Sequence, residues 1–265
     1  MRALLAAVVA IALVGGASGA AAPATVAPGV LTVALNLPSP GFQAGAVRPN
    51  GTVVAARGLE IDFARSLAAR LGLKRVRFVN DPSFKRLLAR GAKPWDLALA
   101  EVTITEARRQ AVDLSQPYLR AEQGVLMRKG LDAPRTLAAL ARLRICLLRG
   151  TTSVAIVRER VRPARPLLFF TSLDVLLDGV RVGRCDAAVL DAPILAAERA
   201  AAPYRYGALA GVLRTDERYG VVLQKGSPVT RRVNAAVRAL VANGTLGRLQ
   251  RRWLLTDLAQ LRVLG

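Results

Sequence analysis

The run from Trp95 to Arg109 reads Trp-Asp-Leu-Ala-Leu-Ala-Glu-Val-Thr-Ile-Thr-Glu-Ala-Arg-Arg. A short apolar segment gives way to Thr103 and Thr105, and Arg108 follows within a few residues. A guanidinium is planar and permanently charged, and with hydroxyl donors beside it makes a seat for a carboxylate. Arg108 is therefore a candidate clamp for an acid group and Thr103 a candidate donor to the same group. Alone, Arg108 reads equally as a solvated helix arginine beside Arg109. Asp191 ends a second apolar run and supplies an anion. Thr152, just after Gly150, opens a helix and brings a hydroxyl together with N-terminal amides, a combination that suits anions.

Other chemistries find little support. The chain has no histidine and two cysteines, and neither metal-ligand spacing nor a nucleophile–base arrangement is visible. No catalytic residue, metal or cofactor is expected. The net charge of +21 comes almost wholly from arginine in a chain crowded with alanine, which fits compositional drift. The functional alternatives are attraction to an anionic membrane, to acidic polymers or to nucleic acid. Nucleic acid is the weakest of these: the arginines are scattered and aromatic residues are only 5%.

Elements that position these residues can be read from periodicity. Arg2, the apolar run Leu4 to Val14 and Ser18-Gly19-Ala20 form an export signal over residues 1–20, too short to span a bilayer. Residues 21–29 read as a linker. Val30 to Leu35 is a strand, and Ile61, Phe63, Ala64, Leu67, Ala68 and Leu71 follow helical spacing up to Gly72. Arg75 to Val79 and Asp96 to Ala100 are further strands, with a short helix at Phe84 to Ala89. The alternation restarts with strands at Gly124 to Met127, Arg144 to Leu148, Leu167 to Phe170 and Cys185 to Leu190, separated by helices. A strand at Tyr219 to Leu223 and helices at Val229 to Ala242 and Thr245 to Leu254 close the chain. Two such units predict an α/β fold with two lobes, each a mostly parallel sheet flanked by helices. Ligands of open α/β sheets sit beyond the carboxyl ends of strands, which is where Thr103, Thr152 and Asp191 fall.

Several segments, in order, resemble family 3 extracellular solute-binding proteins, the amino-acid receptors of ABC importers. They are Gly58-Leu-Glu-Ile-Asp-Phe-Ala, the run from Trp95 to Arg108, Val112-Asp-Leu-Ser-Gln-Pro-Tyr118, Gly150-Thr-Thr152, Gly183 to Asp191, Tyr219 to Gly226 and Gly244 to Trp253. The resemblance implies a type II periplasmic binding-protein fold, with lobe 1 over 30–122 plus 218–265 and lobe 2 over 123–217. It implies a periplasmic monomer that closes on an amino acid and presents it to a membrane permease. Arg108 and Thr103 would hold the ligand carboxylate, Asp191 its ammonium, Thr152 would add donors, and Phe84 would face the ligand side chain or pack in the core. An enzyme on the same scaffold, such as a dehydratase of aromatic amino-acid precursors with Glu101 as its acid, is the alternative. A sensor or docking subunit is another.

Two positions depart from the family pattern. Glu101 stands where a small residue is usual. Three readings are open: it favours a cationic ligand, it pairs with Arg108, or it points outward into water. Leu37 stands where an aromatic would stack on the ligand, and Phe42 is displaced from that position. Cys146 lies six residues before Thr152 and Cys185 six before Asp191. In the implied fold their strands are neighbours, leaving either a disulfide or two buried thiols.

Overall fold

The computed structural model describes residues 24–254 and 258–265. The export signal expected over 1–20 lies outside the described residues. The rest forms two five-stranded sheets, each with helices on both faces. In the first sheet the order is Arg75–Asn80, Val30–Leu35, Leu97–Ala98, Val222–Leu223, Asp113–Leu114. In the second it is Leu168–Phe170, Ile145–Leu148, Ala187–Asp191, Gln123–Met127, Leu209–Leu213.

Both sheets share one logic. Four strands run in one direction and the fourth in spatial order runs against them. The reversed strand is Val222–Leu223 in one sheet and Gln123–Met127 in the other. Each is the strand by which the chain enters its lobe after a crossing. A chain arriving from the cleft must run away from it, whereas the other strands point their carboxyl ends towards it. The crossings themselves pair as a two-stranded ribbon, Leu119–Arg120 with Arg218–Tyr219.

Period-two alternation sorts the side chains into one core on each face of each sheet. Leu31, Val33 and Leu35 join the helices Leu59–Arg70 and Thr230–Ala242 in one core of the first lobe. Ala34, Ala98 and Ala100 face the opposite way, with Trp95, Val102 and Val112. In the second lobe Ala187 and Val189 face one core and Ala188 and Leu190 the other.

Two boundaries differ from the expectation. The last residues leave the first lobe: Val263 pairs with Val212, and Leu264 is fully buried in the second lobe's core. Lobe 1 therefore does not include the whole of 218–265. Nor is the end of the 21–29 segment a loose linker, because the Asp96 carboxylate accepts from the backbone N–H of Val26 and of Thr32, each at 2.7 Å. Cys146, on the strand Ile145–Leu148, and Cys185, just before the neighbouring strand Ala187–Asp191, are joined by a disulfide, with Cα atoms 5.8 Å apart.

Candidate functional site

Arg108 sits on a one-turn helix, Glu106–Arg109, whose start is capped by the Thr105 hydroxyl accepting from the Arg108 backbone N–H. That turn directs the side chain back across the strand end. Its Nη1 donates to the Thr103 carbonyl at 2.7 Å, and its Nη2 reaches the Gly150 carbonyl of the other lobe at 3.4 Å. The guanidinium carbon stands 5.4 Å from the centre of the Phe84 ring. Burial lowers the Arg108 pKa, and the negative charges of Asp191 and Glu217 oppose that shift. Phe84 is half-buried and serves as a floor for the arginine. Thr103 is buried, and its backbone bridges to Tyr219.

Asp191 ends its strand and immediately precedes the helix Ala192–Ala201. It is 5% exposed. One carboxylate oxygen accepts from Gln123 Nε2 and the other from the Tyr219 hydroxyl, both at 2.7 Å. Desolvation leads the shift that pushes its pKa up to about 6, with the Glu217 charge adding and the two hydrogen bonds opposing. The same Gln123 nitrogen donates to Glu217 at 2.8 Å and approaches the Thr152 hydroxyl at 3.4 Å. The Gln123 carbonyl oxygen is buried and without a partner among the described residues. Thr152 makes no side-chain cap to the helix that follows it, so its hydroxyl is turned to Gln123.

Glu101 belongs to a third group. Its backbone takes the left-handed conformation with φ 48°, where a side chain costs roughly 1–2 kcal/mol relative to glycine. Its N–H donates to Glu60 at 3.0 Å, and its carboxyl lies 3.4 Å from the Gln43 amide nitrogen. Glu60 is fully buried and also accepts from Gln43 and from the Tyr118 hydroxyl. Burial and then the Glu60 charge raise the Glu101 pKa well above the ordinary carboxyl range, with the Ser39 hydroxyl opposing and the charge of Asp191 adding. Burial raises Glu60 as well, against its hydrogen bonds. Two carboxyl groups this close oppose each other's ionisation. Glu101 is thus neither paired with Arg108 nor pointed outward. Phe42 is fully buried 6.3 Å from Tyr219, away from any ligand wall.

The arrangement places a permanent cation on one lobe and a buried acid on the other, with amide and hydroxyl groups between them. Such a set recognises a carboxylate and an ammonium on one small molecule. The family model described as bacterial extracellular solute-binding proteins, family 3, matches residues 31–256. The chain belongs to that family. This solute-binding protein is 27% identical over 206 residues to the ABC transporter glutamine-binding protein GlnH of Bacillus subtilis, covering 77% of this chain and 74% of the relative. Among solved structures it resembles an ancestral arginine-binding protein bound to arginine, with 27% identity, a TM-score of 0.70, and 85% of this chain and 98% of that one covered. It also resembles the ancestral amino acid-binding protein AncCDT-1, a precursor of cyclohexadienyl dehydratase, with 28% identity, a TM-score of 0.70, and 85% and 95% covered. Its relatives include a histidine-binding periplasmic protein of Salmonella typhimurium and the L-cystine-binding protein TcyJ of Escherichia coli. Among the described residues no helix of this solute-binding protein is long and apolar enough to cross a membrane, and no cluster of metal-ligating side chains occurs.

Gln123, Glu217 and Glu60 are the site residues that sequence reasoning missed or read as structural. Gln123 carries one usable signal, a polar residue opening an otherwise apolar strand. Glu217 carries none, since the residue it serves lies 94 positions away.

Proposed function

We propose that this protein captures a polar, preferably cationic, amino acid between its lobes in the periplasm and presents it to an ABC permease. The observation that carries this reading is the opposed pair of a half-buried Arg108 and a buried Asp191, each on a different lobe. Arg108 would take the ligand carboxylate, helped by Thr103 and Thr152, and Asp191 the ammonium. Contacts to both lobes are what closure requires, because only differential affinity shifts an equilibrium between open and closed forms. The cationic preference rests on charge: Asp191 and Glu217 outnumber the single arginine, and a distal cation would favour the ionised form of Glu101. The test is a thermal-shift screen of arginine, lysine, ornithine, glutamine, histidine and prephenate, since a ligand of the folded state raises Tm. A shift with the basic amino acids is expected; a shift with none of these compounds refutes the receptor reading.

Replacing Glu101 by glycine separates its two consequences. The substitution removes the left-handed strain and the buried carboxyl, so Tm is expected to rise, by an amount corresponding to about 1 kcal/mol or more. Affinity for arginine should fall while affinity for glutamine holds. A rise in Tm with an unchanged preference would leave Glu101 a structural residue only.

Binding should also depend on pH in a definite direction. Asp191 must be ionised to meet an ammonium, and in the free protein it takes up a proton as pH falls through about 6. Affinity is therefore expected to be flat above that value and to drop about tenfold per pH unit below it. Titration calorimetry from pH 8 to pH 5 reads this, in about unit steps; a flat profile would deny Asp191 its role.

A second reading rests on Glu101 alone. A carboxyl whose pKa is raised by burial and by a second carboxyl has the makings of a general acid for an elimination. Formation of product from prephenate or arogenate would establish it.

A further inference from the structure

The outer face of the first lobe is built from three helices that pack on one another, Leu59–Arg70, Thr230–Ala242 and Thr245–Trp253. Their apolar sides enter one core through Leu67, Val233, Val237, Leu240 and Leu246. Most of their exposed positions are arginine. Arg231 and Arg238 lie seven residues apart, two helical turns, on the side opposite that core, and Arg248 and Arg251 lie three apart, about one turn, on the last helix. All four are exposed, as are Arg65, Arg70 and Arg252. From Arg218 through Thr256 there is no aspartate or glutamate. On the outward side of the three helices the acid is Asp62, and it is already engaged by Arg65, Arg252 and the Trp253 N–H.

Compositional drift would spread arginine evenly, and the second lobe shows what that looks like. There Arg144 and Arg128 share Asp186, and Arg181 pairs with Asp178. The first lobe's outer face offers one acid, Asp62, to a larger set of exposed arginines. It also lacks the apolar centre that a protein partner needs for a desolvated anchor: Val241 is its large exposed hydrophobe, and Trp253 is tied down to Asp62. A broad set of long, mobile cations without an apolar anchor suits a diffuse anionic surface.

We propose that this three-helix face binds the anionic headgroups of a phospholipid bilayer, holding the receptor against the membrane that carries its permease. Each basic residue near such a surface contributes about fivefold to the partition coefficient, and the attraction is screened by salt.

The test is co-sedimentation of the mature protein with vesicles of equal parts phosphatidylcholine and phosphatidylglycerol, and with phosphatidylcholine alone, at low and high salt. Two triple variants carry the same loss of charge: Arg231→Gln/Arg238→Gln/Arg251→Gln on the outer face, and Arg135→Gln/Arg142→Gln/Arg165→Gln on the second lobe. Wild type should bind the anionic vesicles only and release them at high salt. The outer-face variant should lose roughly tenfold to a hundredfold in partitioning, and the second-lobe variant much less. All six sites are exposed, so both variants should keep the wild-type Tm. Equal losses would assign the effect to net charge and overturn the face. Absence of binding by wild type to the anionic vesicles, or equal binding to phosphatidylcholine alone, would overturn the lipid partner.

Discussion

Arg108→Ala is expected to abolish measurable amino-acid binding while leaving the melting temperature nearly where it was. Truncating one member of a buried, hydrogen-bonded charge pair costs about 2–5 kcal/mol in affinity, or roughly thirtyfold to several thousandfold. Most of that is the penalty of a ligand carboxylate left in a dry cleft without its cation. The folded protein itself gives up little. Burial already lowers the Arg108 pKa, so the empty site bears a desolvation cost that the variant escapes. What it loses is a bond to the Thr103 carbonyl and a long one to Gly150. Calorimetry and a melting curve on the same preparation separate the two effects. Unchanged affinity would remove Arg108 from the site, and a collapsed Tm would make it a structural residue. Arg108→Lys sharpens the result: a compact ammonium keeps the charge but not the fork, so partial recovery of affinity measures how much of the grip is bidentate geometry.

Legibility in the sequence followed the range of the interactions. Strands such as Val30–Leu35 and helices such as Leu59–Arg70 announce themselves because their own residues repeat with period two or 3.6. The hairpin Ala44–Val47 with Val53–Arg57 did not, since alanine and glycine carry too little apolar contrast for alternation to show. The helix Ala192–Ala201 was hidden for a related reason: it starts directly at the end of a strand, with no turn residues between, and is half alanine. At the site, Arg108 and Thr103 could be found together because five positions of one chain segment position them. Asp191, Gln123 and Glu217 come from three segments, and their meeting is a property of the crossings. The Glu101 carboxyl could not be placed from sequence at all. Its environment is set by Glu60, Gln43 and Tyr118, which the first lobe brings in from three further elements.

Removing the disulfide should cost more folding stability than any other change considered. The bridge closes a separation of 39 residues, and the chain-entropy relation puts its effect at about 4 kcal/mol. For a protein of this size that is a fall in Tm of roughly 10 °C. Cys146→Ala/Cys185→Ala is the better variant, because both sulfurs are fully buried and serine would place hydroxyls among Leu176, Val180 and Phe170. Alkylation of the unfolded, unreduced protein is expected to label neither cysteine; two labelled thiols would leave nothing for the variant to lose. The functional consequence should be much smaller and local. The bridge joins the strand Ile145–Leu148 to the segment leading into Ala187–Asp191, and these two strands run on to Thr152 and Asp191. Loosening their base lets those two groups drift relative to each other, while Arg108 and Glu101 stay on the untouched first lobe. A few-fold loss of affinity well below Tm is therefore expected, against a much larger loss in Arg108→Ala. Equal losses in the two variants would mean that the second lobe's strand pair, rather than the guanidinium, sets the grip on the ligand.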